Sequence, residues 1–328
     1  MICRICASPG QVAFLAREMM LGIRTEHRYV RCSSCGSLQI DSIPDNLADY
    51  YDQGCYYSLQ TAYELDRRNL LRAWLGNRLD RAHIFSESGF FGRLAKLRGN
   101  VVAERLRSFV ADSPVRSWQA RILDVGCGSG ALVRELAMHG FKRAEGIDPY
   151  MPVASVQTGG SPRLRRVAIE DIRCETFDLV LVTHVLEHVE QPLATLKAVT
   201  SLLSPGGVCR IEVPVADSEA CRSYREHWVE LDPPRHLTIP SRSALIRLAN
   251  AAGLEIYRAE PAGSAFEFWG SEMYRRGVTL FDTATRRYRE PGDVFTAADL
   301  QAFDRLAQAA AARGESGRER FYLRRPAD

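Results

Sequence analysis

The sequence predicts an α/β protein in which a parallel, doubly wound sheet carries helices on both faces and follows a small cysteine-rich ribbon. Two observations lead to this fold class. From residue 119 onward, short apolar runs alternate with runs of helical length, and repeated β-α units of this kind build parallel sheets. Before that point, two closely spaced pairs of cysteines stand within the first 35 residues.

Length and composition limit the functional classes. The 328 residues are 46% apolar and 25% charged, which is typical of a globular protein with a sizeable core. Because 40 acidic side chains nearly balance 43 basic ones, the net charge is only +3 and no nucleic-acid partner is expected. The chain shows neither a signal peptide nor an apolar run of about 20 residues, so we predict a cytoplasmic protein without a transmembrane segment.

The N-terminal ribbon contains a metal-binding pattern. Two C-x2-C pairs, separated by 25 residues, supply Cys3, Cys6, Cys32 and Cys35. Four thiolates arranged in a tetrahedron satisfy zinc and leave no open coordination position, so the pattern predicts a structural Zn²⁺ site. So small a segment is expected to fold only together with its metal.

The composition changes suggest three regions. Residues 1–50 form the zinc-binding ribbon, 51–118 a helical cap or linker, and 119–328 the α/β core with an insertion at about 261–316. In the core, "RILDVG", "AEGID", "FDLVLVT" and "VCRIEVP" are predicted strands. "ALVRELAMHG" is a predicted helix that ends at Gly140, and "PLATLKAVTSLL" is a second helix that begins at Pro192 and ends at the turn "SPGG".

A glycine turn follows the first of these strands. Gly126, Gly128 and Gly130 allow the backbone to approach a ligand, and the next helix offers free N–H groups to a carboxylate or phosphate. Asp148, which ends the second strand, suits the diol of a ribose. Because Gly126, Gly128 and Ala131 also match G-x-G-x-x-A, the turn alone does not exclude a dinucleotide cofactor.

Taken together, these motifs resemble the class I S-adenosylmethionine-dependent methyltransferases. "ILDVGCGSG" is similar to the first motif of that family, "GIDP" to the second, and "EDI" with "FDLVLVTHVLEHV" to the third and fourth. The resemblance implies a Rossmann-like, seven-stranded, doubly wound sheet and S-adenosylmethionine as cofactor. It also implies a set of cofactor-binding residues, namely Asp124, Gly126, Cys127, Gly128, Gly130, Asp148, Pro149, Asp171, Ile172 and His184.

The string "HVLEH" at residues 184–188 also has the H-x-x-E-H spacing of a class of zinc peptidases. A peptidase needs both histidines on one face of a continuous helix. Here the string directly follows a strand, and the next helix begins only at Pro192. We therefore expect Glu187 and His188 to brace a loop through hydrogen bonds.

The chain is further similar to a bacterial subgroup encoded with sugar and surface-glycan biosynthesis, because a four-cysteine ribbon, "YY" and "LDPPRHLTIPSRSAL" accompany the core. The resemblance implicates His236 as the catalytic base. Pro233 and Pro234 stand where the C-methylating branch has a tyrosine and a histidine, which makes C-methylation doubtful. Candidates for the acceptor pocket are Tyr56, Tyr57, Glu226, His227, Trp228 and Arg235.

The sequence thus predicts methyl transfer from S-adenosylmethionine to a small-molecule acceptor, either a hydroxyl or a carbon of a nucleotide- or lipid-linked sugar. The other hypothesis is a noncatalytic protein that keeps its cofactor and binds a protein or nucleic-acid partner through the ribbon.

Overall fold

A computed structural model of the chain describes residues 1–51, 70–85, 93, 101–110, 113–153, 156 and 162–326. The chain divides into two compact units, each with its own hydrophobic core. The first unit comprises Met1–Tyr56, Thr183–Lys197 and Ile211–Phe321, and the second comprises Tyr57–Val182, Ala198–Arg210 and Tyr322–Asp328.

The elements follow one another in the alternating order that the sequence predicts from residue 119 onward. The strands are β1 (Gly10–Arg17), β2 (Glu26–Cys32), β3 (Leu38–Ile40), β4 (Ile122–Val125), β5 (Ala144–Ile147), β6 (Arg163–Arg165), β7 (Phe177–Thr183), β8 (Leu203–Pro214), β9 (Thr238–Ile239), β10 (Glu255–Pro261), β11 (Phe281–Asp282), β12 (Arg287–Tyr288) and β13 (Arg318–Arg324). The helices among the described residues are α1 (Leu70–Ile84), α2 (Val101–Val110), α3 (Ala131–Met138), α4 (Pro192–Leu202), α5 (Glu219–Tyr224), α6 (Arg242–Ala251), α7 (Phe266–Arg275) and α8 (Ala297–Ala312).

Seven strands form one sheet in the order β10-β13-β8-β7-β4-β5-β6. β4 pairs in parallel with both β5 and β7, and β5 pairs in parallel with β6. The prediction of a seven-stranded, doubly wound α/β fold is therefore confirmed. Because the chain runs from β4 outward in both directions, the ends of β4 and its neighbours form the switch point at which such sheets bind ligands.

The core of the second unit explains why β4 has no alternation of polar and apolar residues. All four residues of this strand are buried, as expected for a central parallel strand that is covered on both faces. Helix α3 packs its buried residues Val133 and Leu136 into the same core. The helix ends at Met138, and Gly140 follows with a φ of +111°, which confirms the predicted stop.

The segment "SPGG" differs from its prediction as a turn. Helix α4 ends at Leu202 as expected, but the strand β8 begins directly at Leu203 and includes these four residues. A Cβ atom at Gly207 would lie only 2.8 Å from the carbonyl oxygen of Phe177. The glycine therefore permits a close backbone approach at this point, which is a second use of glycine that a turn pattern does not distinguish.

In the first unit, a four-stranded sheet has the order β1-β2-β3-β9. β1 and β2 form an antiparallel hairpin from the N-terminal ribbon, and β3 pairs with β2. The fourth strand, β9, lies about 200 residues later in the chain and pairs antiparallel with β3. The predicted insertion at about 261–316 also belongs to this unit and contains α7, the hairpin of β11 and β12, and α8.

None of the helices in the described part of the chain combines the length and the apolar composition that crossing a bilayer requires. The predicted cap at residues 51–118 lies only partly within the described residues, where α1 and α2 are its helices.

Candidate functional site

The glycine turn joins β4 to α3 in the second unit. Gly126, Gly128 and Gly130 have φ values of +68°, +56° and +83°, a region that side chains other than glycine rarely adopt. The N–H groups of Gly126 and Cys127 both donate to the carbonyl oxygen of Ile147, at 2.8 and 3.1 Å. Gly130 is the N-cap of α3, so the helix begins directly after the turn.

Asp148 is tied to this turn by a hydrogen bond. Its Oδ2 accepts from the N–H of Gly128 at 2.9 Å, and its Oδ1 accepts from the N–H of Tyr150 at 2.7 Å. A carboxylate has about four acceptor positions, and among the described residues only these two N–H groups donate to it, so it can also accept from a ligand such as a ribose diol. The residues present therefore fit the adenosyl cofactor that the sequence implies, because the glycine turn and this carboxylate lie side by side.

Two buried carboxyl groups stand close together at this end of the sheet. Burial raises the pKa of Asp124 to about 7, and the charge of Asp148 contributes to the same increase. Burial also raises the pKa of Asp148, although its two backbone hydrogen bonds lower it. A cation placed near them would stabilise the ionised forms of both groups.

The other predicted cofactor residues of the second unit lie on three segments. Cys127 is half-buried within the turn, and burial raises the pKa of its thiol. Pro149 is exposed just after Asp148. Asp171 ends a short 3-10 helix and is exposed, whereas Ile172 after it is buried.

His184 lies in the first unit, directly after β7, and has a φ of +53°. Its Nδ1 lies 3.2 Å from Glu187 Oε1, and its Nε2 lies 3.2 Å from Nη1 of Arg318. Burial lowers the pKa of His184, but the hydrogen bond and the charge of Glu187 outweigh this effect and raise it overall. The imidazole is thus held between a carboxylate and a guanidinium.

The H-x-x-E-H string does not lie on a helix. Residues 184–191 form a turn between β7 and α4, and α4 begins at Pro192 as predicted. The carbonyl oxygen of Glu187 accepts hydrogen bonds from the N–H groups of Leu237 and Thr238, at 2.7 and 3.1 Å. The string therefore lacks the helical geometry of a zinc peptidase and connects to the segment that contains His236.

His236 is buried, and one tautomer is fixed by its surroundings. Its Nδ1 lies 2.7 Å from the carbonyl oxygen of Glu230, which can only accept, so Nδ1 carries a proton, and in the neutral ring the lone pair is on Nε2. Nε2 lies 4.0 Å from Glu187 Oε1 and 3.9 Å from Asp232 Oδ2. The ring of His188 packs edge-on against that of His236, with 4.6 Å between centroids.

Glu187, His188 and His236 also form a group that could hold a metal ion, because their ligand atoms lie within 4.8 Å of one another. Burial and the charge of His236 lower the pKa of His188 to about 4. Burial raises the pKa of Glu187, but the histidines around it, His184 first, lower it to about 2. The Glu187 carboxylate is therefore ionised, and the imidazole of His188 beside it is held neutral to a lower pH than usual.

These shifts predict a pH dependence of stability. The folded-state pKa of His188 is about 4, below its ordinary value of 6.5, so the unfolded chain takes up the proton first. The free energy of unfolding should therefore fall as the pH falls from about 6.5 to 4, by at most about 3 kcal/mol from this group. Denaturant titrations across this range should show a flatter dependence for His188→Asn, which keeps an amide donor. An equally steep dependence in the variant would contradict the assignment.

Two of the predicted acceptor-pocket residues lie in the interior, where they have little surface to offer an acceptor. Trp228 is 1% exposed and packs in the core of the first unit, and Arg235 is fully buried. The guanidinium of Arg235 donates to Asp232 and Glu18, so its donors are already engaged within the protein. Glu226 and His227 are half-buried on the preceding 3-10 turn, and Tyr56 and Tyr57 lie outside the described residues.

Several residues near His236 were not identified from the sequence. Glu18 follows β1 and Tyr29 lies in β2, and neither belongs to a motif. The hydroxyl oxygen of Tyr51 lies 3.0 Å from Nδ1 of His188. Asp232 could have been identified from the sequence. It stands four residues before His236, and in a helical turn this spacing brings two side chains together.

The four ribbon cysteines converge as predicted from their spacing. All four Sγ atoms lie within 4.8 Å of one another, with 3.7 Å from Cys3 to Cys35 and 3.4 Å from Cys6 to Cys32. A tetrahedral zinc site with bonds of about 2.3 Å places sulfurs about 3.8 Å apart, so the donor set fits this metal. The N–H groups of Ile5 and Cys35 point to the sulfurs of Cys3 and Cys32, at 3.4 and 3.5 Å.

The strand order and the glycine turn between β4 and α3 are those of the class I S-adenosylmethionine-dependent methyltransferase fold. A family profile described as a methyltransferase domain matches residues 94–259, just over half of the chain. The chain belongs to the methyltransferase domain family.

Individual relatives match over shorter stretches. The ubiquinone biosynthesis O-methyltransferase of Cereibacter sphaeroides (strain ATCC 17025) is 37% identical over 123 residues, which cover 35% of this chain and 49% of the relative. That of Chromobacterium violaceum is 38% identical over 96 residues, covering 26% and 41%. A putative sarcosine dimethylglycine methyltransferase from Galdieria sulphuraria has a TM-score of 0.44 at 17% identity, covering 75% of this chain and 98% of that one. The chain spans about half the length, or less, of these curated relatives.

Proposed function

We propose that this protein transfers a methyl group from S-adenosylmethionine to a hydroxyl of a small-molecule acceptor, with His236 as the general base. The observation that carries the proposal is the buried imidazole of His236, whose Nε2 lies beside two carboxylates. Methyl transfer to a hydroxyl needs a group that removes one proton, and an imidazole held in a single tautomer suits this role.

The cofactor, when bound, supplies an electrophilic methyl group. Asp148 would accept hydrogen bonds from its ribose hydroxyls, and the backbone of the glycine turn would border its methionine part. Asp171 and Ile172 would border the adenine, and His184 is also proposed as a cofactor contact. Asp124, with its raised pKa, would be driven towards its ionised form by a bound cation.

In the proposed reaction, Nε2 of His236 accepts the proton of the acceptor hydroxyl. The carbonyl oxygen of Glu230 keeps the other nitrogen protonated throughout, so the ring becomes an imidazolium. Glu187 and Asp232, with oxygens 4.0 and 3.9 Å from Nε2, stabilise that positive charge. Tyr56, Tyr57, Glu226 and His227 remain proposed acceptor contacts.

The first acceptor class that we propose is a nucleotide- or lipid-linked sugar in glycan or secondary-metabolite biosynthesis. The support is the resemblance of the four-cysteine ribbon and the "LDPPRHL" segment to methyltransferases encoded with such pathways. A phenolic hydroxyl is the second candidate, because relatives that match part of the chain bear the name ubiquinone biosynthesis O-methyltransferase.

A direct assay separates these acceptors. The purified protein is incubated with methyl-labelled S-adenosylmethionine and, in parallel, with nucleotide sugars, lipid-linked sugars, catechol-type phenols, RNA and protein extract. Label in a sugar hydroxyl supports the first proposal, and label in a phenol supports the second. Cofactor binding without transfer to any of them would favour the noncatalytic alternative.

Cofactor affinity gives a separate prediction for Asp148. We expect Asp148→Asn to weaken binding of S-adenosylmethionine about tenfold or more, because a charged hydrogen bond to the ribose diol is worth about 1.5–3 kcal/mol. Asp178→Asn is the control, because its carboxylate accepts from Arg121 and Ser204 and has no proposed contact with the cofactor. Calorimetric titration measures both. Equal affinities of the two variants for S-adenosylmethionine would exclude Asp148 as a cofactor contact.

We further propose that the four ribbon cysteines bind one structural Zn²⁺. Burial raises the pKa of the Cys3 thiol to about 12, so an ionised cluster requires a cation to compensate its charge. Protein purified under reducing conditions should contain close to one zinc per chain by elemental analysis, and Cys32→Ser should lose it. A second equivalent of metal that persists in Cys32→Ser would instead indicate occupation of Glu187, His188 and His236.

A further inference from the structure

The segment that contains His236 is built into the sheet of the ribbon. Directly after His236, strand β9 pairs with β3, in the register Leu38 with Ile239 and Gln39 with Thr238. The N–H of Ile40 also donates to the carbonyl oxygen of Leu237 at 3.0 Å. A strand of only two residues has too few hydrogen bonds to keep its position alone, so its position depends on its neighbours, which are β3 on one side and the carbonyl oxygen of Glu187 on the other.

Side chains of the N-terminal segment hold the residues on either side of this pairing. The hydroxyl of Tyr29 donates to the carbonyl oxygen of His236 at 2.8 Å, and both residues are buried. Nη1 of Arg4 donates to the carbonyl oxygen of Leu237 at 3.1 Å. Nη2 of Arg235 donates to Oε1 of Glu18 at 2.9 Å. Each of the three consecutive residues 235 to 237 therefore forms a hydrogen bond with a side chain from the first thirty residues of the chain.

The same segment is also joined to the cysteine cluster itself. Ser241, which is the N-cap of α6, donates its hydroxyl to the carbonyl oxygen of Cys35. Its N–H donates to Oγ of Ser37, and that hydroxyl lies 3.3 Å from Sγ of Cys35. Only two residues separate Cys35 from Leu38, the first residue of β3. A displacement of the loop that carries Cys32 and Cys35 would thus move both ends of β9.

We propose that the cluster of four cysteines is a positioning device for His236, so that loss of its metal or oxidation of its thiols lowers the rate of methyl transfer while cofactor affinity is kept. This inference rests on the proposed role of His236 as base. Cofactor affinity is expected to be kept because the glycine turn and Asp148, its main proposed contacts, are held by hydrogen bonds to one another and to Ile147. Tyr29, Glu18 and Arg4 are positioning residues, since each acts on His236 through the backbone or through Arg235.

The first experiment removes one link and leaves the cysteines intact. Tyr29→Phe deletes the hydroxyl that holds the carbonyl oxygen of His236. Tyr50→Phe is the matched control, because its hydroxyl bonds Thr25 and His27 within the N-terminal segment. We expect Tyr29→Phe to lower kcat about tenfold with KM for S-adenosylmethionine and zinc content unchanged. In spectra of ¹⁵N-histidine-labelled protein, the His236 resonances should shift in Tyr29→Phe and stay in place in Tyr50→Phe.

The second experiment removes the metal from the complete protein. Chelator-treated protein should show faster hydrogen exchange at the amides of Leu237 and Thr238, which donate to Glu187, while the amide of Gly128 keeps its protection. Calorimetry should give a Kd for S-adenosylmethionine within about twofold of the untreated protein. Readdition of Zn²⁺ should restore the original exchange rates.

Two outcomes would overturn the inference. One is unchanged histidine resonances and unchanged kcat in Tyr29→Phe, and the other is unchanged exchange at Leu237 and Thr238 after zinc removal. Failure of the proposed function looks different. If the untreated protein transferred no methyl group, the resonances and exchange rates would still report whether the cluster positions His236, because neither measurement needs turnover.

Discussion

Replacing His236 by alanine is expected to lower the rate of methyl transfer by about 10²- to 10⁴-fold, the usual contribution of a positioned general base. The imidazole is buried, and its Nε2 is the group proposed to accept the proton. Because the proposed cofactor contacts are the glycine turn, Asp148 and other residues and do not include His236, the Kd for S-adenosylmethionine should stay within about twofold. Single-turnover assays with labelled cofactor measure the rate, and calorimetry measures the affinity.

Two variants separate chemistry from folding in this experiment. His236→Asn keeps a donor for the carbonyl oxygen of Glu230 but has no Nε2, so it should be as slow as the alanine variant while remaining as stable as the parent. His83→Ala removes a histidine that pairs with Glu104 in the second unit, and its rate should be unchanged. A rate for His236→Asn close to that of the unaltered protein would exclude His236 as the base.

The central sheet could be predicted from the sequence because its strands are short, continuous apolar runs that glycine and proline interrupt. The four residues of β4 are all buried, and the turn after it needs positive φ at three positions that are all glycine. Local sequence and tertiary environment thus favour the same conformation. "SPGG" shows the limit of this reasoning, since glycine permits both a turn and the close backbone approach that Gly207 makes in β8.

The surroundings of His236 could be predicted only in part. Its own position in "DPPRHL" suggested a loop near the ends of the strands, but β9 has two residues and therefore no detectable periodicity. Its partner β3 lies about 200 residues earlier, and the residues themselves carry no sign of that pairing. Arg235 was a candidate for the acceptor pocket because it stands in the same segment as His236, but its ion pairs with Glu18 and Asp232 bury it.

Removal of the Arg235 guanidinium should produce the largest loss of stability among single substitutions in this region. Arg235 and Glu18 are both fully buried, and the charge of Asp232 raises the pKa of the guanidinium despite its burial. Arg235→Met keeps much of the apolar volume but leaves two carboxylates without a counter-charge. We expect the free energy of unfolding to fall by about 3–5 kcal/mol, measured by chemical denaturation.

An exposed ion pair provides the comparison for this prediction. Arg222 pairs with Glu315 on the surface, where water already solvates both groups, so Arg222→Met should cost less than about 1 kcal/mol. A double substitution then tests the mechanism. If the loss in Arg235→Met comes from the uncompensated charge of Glu18, adding Glu18→Gln should recover part of it, because the second change removes that charge. Strictly additive losses would mean that Arg235 acts through its packing or its bond to the carbonyl oxygen of Tyr50, and that the buried charges of Glu18 and Arg235 are not energetically coupled.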